Sequence, residues 1–86
     1  MKVTVIITGH RYDRAGSLPD ELVLPSDSTL ADALEALRTA AGGTLPLPST
    51  CLVAVAGRHL GTLAKHSPCT LRDGDEIALI SPVAGG

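Results

Sequence analysis

Hydrophobic and polar positions change period several times along the chain, and each change marks an element. Val3, Val5 and Ile7 alternate with Lys2, Thr4, Ile6 and Thr8, which predicts a strand over residues 2–8 with one face on a core. Residues 9–20 are polar and contain Gly9, Gly16 and Pro19, which suits a loop between strands. Glu21-Leu22-Val23-Leu24-Pro25 reads as a second short strand with Leu22 and Leu24 on one face, pairing with the first as a hairpin. From residue 29 to 41 the period becomes helical. Leu30, Ala33, Leu34, Leu37 and Ala41 form one apolar stripe, while Glu35 and Arg38 fall outside it and face water. Ser28 or Thr29 caps this helix, Thr29-x-x-Asp32 resembles a capping box, and Gly42-Gly43 stops it.

Residues 44–50 hold Pro46 and Pro48 and read as a connection. Cys51 to Ala56 is apolar on both faces, so it is expected inside the sheet. Gly57 begins a turn. Residues 58–72 show no clear period, and His59-Leu60-Gly61-Thr62-Leu63 reads as either a short edge strand or an irregular segment. Asp73-Gly74 signals a turn, and Glu76–Ile80 is the last strand. One helix of this length covers one face of a four- or five-stranded mixed sheet, with the first and last strands adjacent near its centre. That arrangement is an α+β, β-grasp (ubiquitin-like) fold, expected over residues 1–81, with residues 82–86 as a tail.

Composition narrows the function. The chain has 86 residues, enough for one small domain. Tyr12 is its only aromatic residue, so bases have no stacking platform. The net charge is −2 and the seven basic residues are scattered, which argues against a nucleic-acid partner. No apolar run reaches the length of a membrane span or a secretory signal, so a soluble cytoplasmic protein with no membrane partner is expected. Cys51 and Cys69 match no zinc spacing, and His10, His59 and His66 form no helical pair, so neither a metal nor another cofactor is expected. Cys51 shares a strand face with Val53 and Val55 and reads as core. Cys69 follows Pro68 in a loop with no evident base to activate it. No catalytic side chain is assigned.

The chemistry concentrates at the end of the sequence. An apolar strand runs into Ser81-Pro82-Val83-Ala84-Gly85-Gly86. Glycine lacks Cβ, so a terminal Gly-Gly carries an unhindered carboxylate into a narrow site. Five extended residues span roughly 17 Å, and Pro82 stiffens their base. A docking face is expected on the exposed side of the sheet, with Leu52, Val23 or Ile80 as candidates and Arg11, Arg58 and Arg72 as a polar rim.

Gly74-Asp75-Glu76, the hydrophobic strand, Pro82-Val83 and Gly85-Gly86 together resemble the ubiquitin-like sulfur-carrier family of the MoaD/ThiS type, most closely the small subunit of molybdopterin synthase. Ser81 stands where that family usually has the first proline of a pair, and Ala56 where asparagine is common. The resemblance implies that an E1-like adenylating enzyme activates Gly86 with ATP. A sulfur donor then converts it to a thiocarboxylate, while Pro82, Val83, Ala84 and Gly85 thread into the partner. The acceptor implied is an enzyme such as the large molybdopterin synthase subunit, for molybdenum-cofactor biosynthesis. Sulfur delivery to thiazole, cysteine or tRNA, or a ubiquitin-like modifier or interaction module without a sulfur role, are the alternatives.

Overall fold

The computed structural model of the chain describes residues 1–8, 19–43, 47 and 49–81. Its elements are β1 (Lys2–Thr8), β2 (Glu21–Val23), α1 (Leu30–Ala40), β3 (Leu52–Val55), β4 (Arg58–Thr62) and β5 (Glu76–Ile80). The five strands form one sheet in the order β2-β1-β5-β3-β4. β1 and β5 are parallel and central, and every other pairing is antiparallel. This is the β-grasp arrangement, at the upper end of the strand count expected.

Alternation decides which face is dry. Val3 and Val5 of β1, Val53 and Val55 of β3, and Ile77 and Leu79 of β5 are all buried on one side of the sheet. α1 adds Leu30, Ala33, Leu34 and Leu37 to the same core, and Leu22, Leu24, Cys51, Cys69 and Leu71 complete it. Burying each large aliphatic side chain contributes about 1.5–3 kcal/mol, and with no Phe or Trp this aliphatic packing is what the fold stands on. Ala41 falls at the C-cap and is only half-buried, so the buried stripe ends at Leu37 and the helix stops one residue short of the expected end.

Both ends of α1 are closed locally. Thr29 Oγ1 accepts from Asp32 N at 3.3 Å, and the Asp32 carboxylate accepts from Thr29 N at 2.9 Å, a reciprocal capping box. Gly42 N donates to Thr39 O at 3.1 Å and Gly43 N to Arg38 O at 2.9 Å, the Schellman pattern that satisfies the last carbonyls. Glu35 and Arg38 pair on the exposed side.

β3 and β4 join through a two-residue turn, Ala56-Gly57, with φ +51° and +83°. Two positive φ values are the signature of a type I′ hairpin, whose twist matches that of the strands it connects. The weakly patterned stretch after Gly57 is therefore a true edge strand, with a bulge where Leu60 has no partner between the Val53–Gly61 and Ala54–His59 pairs. The chain then folds back on that edge. Thr62 N donates to Lys65 O at 2.8 Å, Ser67 N donates to Leu60 O at 2.9 Å, and Gly61 bridges His66. Gly61 has φ +129°, and a Cβ there would lie 2.5 Å from Lys65 O, so only glycine admits the fold-back. Past it, Leu30 N donates to Cys69 O and Leu71 N to Ser28 O, both at 2.8 Å, tying residues 69–71 to the start of α1.

Candidate functional site

β5 fixes the position of the last described residues, Ile80 and Ser81. Ile80 pairs with Thr8 in the parallel ladder, and Ser81 N donates to Thr8 O at 2.9 Å, one rung beyond the strand. Ser81 is buried at 3% exposure. A proline at this position has no N–H and could not make this ladder bond. Residue 81 is thus a fixed point. Pro82, Val83, Ala84, Gly85 and Gly86 follow it and lie outside the described residues, as does the domain boundary expected there.

Beside that fixed point the sheet turns an apolar face outward. Cross-strand neighbours share a face, so the register places Thr8, Ile80, Leu52 and Thr62 in one row and Ile6, Ala78, Ala54 and His59 in the next. Leu52 is 40% exposed and Ile6 37% exposed, and Ile80 is half-buried between them. The following row, Glu21, Thr4 and Glu76, is polar. The open face therefore grades from apolar at the exit of β5 to acidic at the start of that strand.

Leu52 and Ile80, both expected on a docking face, are direct cross-strand partners. Val23 is 82% exposed but belongs elsewhere. It pairs with Lys2 on the β2 edge, four residues and about 13 Å of strand from Ile6. In the alternation of β1, Ile6 is an outward position. Its signal was visible, because it is the apolar member of the set Lys2, Thr4, Ile6, Thr8.

The arginine rim is not assembled there. Arg58 pairs with Val55, whose side chain is in the core, so it lies on the helix side of the sheet edge. Arg58 and Arg72 line a cavity of about 340 Å³ with Ala56, Thr70 and Asp75, at the end where β5 begins. Arg11 lies outside the described residues.

The cysteines are structural. Cys51 is fully buried, and burial pushes its thiol up from the ordinary value, which keeps it protonated and unreactive. Cys69 is buried at 9% exposure, its carbonyl receives Leu30 N, and Arg58 Nη2 donates weakly to its sulfur at 3.9 Å. His59 stands on the open face opposite Ala54, while His66 sits on the fold-back beside β4. Among the described residues no group of three or more His, Cys, Asp or Glu is placed to hold a metal ion, and no helix is long and apolar enough to cross a membrane.

Comparison with known proteins places this architecture. Residues 5–86 match the model of the ThiS family. The fold is similar to the crystal structure of SAMP1 from Haloferax volcanii, with a TM-score of 0.70 and 23% sequence identity over the whole of both chains. No curated protein matches the chain.

Proposed function

The chain belongs to the ThiS family, and from that membership we propose that it is a sulfur carrier whose Gly86 carboxylate is adenylated by an E1-like enzyme and converted to a thiocarboxylate. The observation that carries this reading is the juxtaposition at the end of β5. A pinned, buried Ser81 stands next to the half-buried Ile80 and the exposed Leu52 of the open face, with Ile6 adjoining, and Gly-Gly ends the sequence five residues later. A partner that takes residues 82–86 into its active site must also cover that apolar face.

The chemistry asks for no catalytic side chain on the carrier. A carboxylate resists attack because oxide is a poor leaving group. Transfer to the α-phosphate of ATP makes an acyl-adenylate and releases pyrophosphate. Sulfide then adds to the carbonyl carbon, the C–O bond to AMP breaks, and AMP departs, leaving the thiocarboxylate. Where the donor is an enzyme persulfide, the first product is an acyl disulfide, and a thiol cleaves it to the same end. The preferred acceptor is a pterin precursor held by a large molybdopterin-synthase-type subunit, in a cytoplasm that supplies ATP and reduced sulfur. Thiazole, cysteine or tRNA acceptors use the same carrier chemistry and differ only in the second partner.

Intact-mass spectrometry is the test. Incubated with its adenylating enzyme, ATP and sulfide, the chain is expected to gain the mass of one oxygen-to-sulfur exchange, assigned to Gly86. Deleting Gly86 should abolish that gain and leave the circular dichroism spectrum unchanged. Sulfur loading in the deletion variant, or none in the intact chain under conditions that load another carrier, refutes the reading.

A further inference from the structure

Five of the seven basic side chains fall among the described residues. Lys2 pairs with Glu21, and Arg38 with Glu35. Arg58, Lys65 and Arg72 have no carboxylate partner among the described residues. Lys65 stands by itself on the fold-back. Arg58 and Arg72 instead share the cavity of about 340 Å³ whose other walls are Ala56, Thr70 and Asp75. Sites for small molecules run from about 300 to 1,000 Å³, so this one suits a compact ligand.

Backbone bonds hold the walls in place. Arg58 opens β4 directly after the Ala56-Gly57 turn, and Ala56 N donates to Glu76 O at 3.0 Å. Arg72 opens the turn before β5, where Asp75 N donates to Arg72 O at 3.0 Å and Gly74 N to Lys2 O at 2.8 Å. Thr70 lies between the two bonds that tie Cys69 and Leu71 to the start of α1, and it bridges Thr29. Asp75 is the one carboxylate in the wall, yet it forms no ion pair with either guanidinium. Its Oδ2 is taken by Arg72 N at 2.8 Å, a bond internal to the turn. Arg58 Nη2 reaches only Cys69 Sγ, a weak acceptor, at 3.9 Å. Each guanidinium carries five N–H donors, so most of the donors facing this cavity have no acceptor among the described residues.

We propose that the cavity binds a phosphate group, held between the Arg58 and Arg72 guanidiniums with the Thr70 hydroxyl as a further donor. Two planar forks and a hydroxyl offer more donors than the two oxygens of a carboxylate can use, and they match the three or four oxygens of a phosphate. Charge points the same way. The walls set two positive charges against one negative. A phosphate monoester near neutral pH carries about −1.5 to −2, which outweighs the repulsion from Asp75 better than the single charge of a carboxylate does. The group is either the free anion or the phosphate of a small metabolite. The site lies where β5 begins, on the helix side of the sheet edge. Ser81 and the apolar open face lie at the other end of that strand, so a ligand here does not compete with a partner there.

The test titrates sodium phosphate into the full-length, nitrogen-15-labelled chain near neutral pH, with sodium chloride adjusted to hold the ionic strength constant. Amide shifts are followed by two-dimensional NMR. Saturable shifts at millimolar phosphate are expected for Ala56, Arg58, Thr70, Arg72 and Asp75, and none for Lys2 or Lys65. Arg58→Gln and Arg72→Gln should each weaken binding about tenfold and leave the rest of the spectrum unchanged. Asp75→Asn keeps an oxygen for the Arg72 N bond and should tighten binding roughly threefold. Glycerol phosphate run beside inorganic phosphate separates the two sources: the tighter binder of the two is the form the site takes. Shifts that stay linear in phosphate, that reach Lys2 and Lys65 equally, or that acetate or triglutamate reproduces at the same concentration would overturn the proposal. No arm of the experiment uses the adenylating enzyme or Gly86, so its result is independent of the carrier reading.

Discussion

Two residues at the β3–β4 edge hold backbone conformations that their neighbours impose. Ala56 sits at φ +51°, where an L residue with a Cβ is strained by about 1–2 kcal/mol, and Asn-Gly is the preferred sequence of such a turn. Alanine therefore meets the requirement of this turn at a cost that asparagine would lessen. Ala56→Asn should raise the urea midpoint, by up to about 1 kcal/mol of stability. Gly61→Ala should lower it by about 1–3 kcal/mol, because its Cβ meets the Lys65 carbonyl that closes the fold-back. The two substitutions act in opposite directions on one hairpin, and a single denaturation series checks both. Neither conformation was legible in the residue order. An Ala-Gly pair specifies no φ, and Gly61 sits in an aperiodic stretch whose reason for glycine is a contact four residues further on.

Elements differ in how much of their stability is local. α1 was legible from its stripe, its Thr29–Asp32 box and its Gly-Gly stop, because its bonds run between residues four or fewer apart, save the five-residue span to Gly43. Thr29→Ala should destabilise the domain by about 1 kcal/mol, seen as a lower thermal midpoint with the helical signal intact at low temperature. β4 is the opposite case. Leu60, Leu63, Cys69 and Leu71 follow no period, because a bulge, a fold-back and a pairing with Ser28 interrupt the segment in turn. The bulge and the fold-back are set by partners three to eight residues away that follow no period, and only the pairing of Leu71 with Ser28 reaches far along the chain. β2 ends at Val23 rather than at Pro25, although Leu24 N still donates to Met1 O.

At the scale of the whole molecule, the sheet is a frame with unlike ends. One end carries the end of β5, the exposed Leu52 and Ile6, the half-buried Ile80, and Lys65; the other carries the N-terminus, the Glu21–Glu76 row and the Arg58–Arg72 cavity. A double Ile6→Ser, Leu52→Ser variant is expected to stay folded but lose about 1 kcal/mol of stability per site, since the side chains are only 37% and 40% exposed and part of each apolar surface is buried. The same variant should weaken binding to the adenylating partner at least tenfold, measured by calorimetry. Equal affinity in the variant and the parent would remove the open face from the docking surface. Val23→Ser, on the distant β2 edge, should leave that affinity unchanged.

The order of hydrophobic and polar residues alone determined the strands at residues 2–8 and 76–80, the helix, the single-layered core and the kind of fold, because those features depend on period and on short-range caps. The chemistry expected of the closing Pro-Val-Ala-Gly-Gly rests on residue identity alone, and those residues lie outside the described ones. Only the tertiary structure decided that Ile6 joins Leu52 and Ile80 while Val23 and the arginines do not, and that Arg58 and Arg72 line one cavity. Those groupings follow from register between strands distant in sequence, and a linear pattern shows which face a residue takes but not which neighbours it meets there.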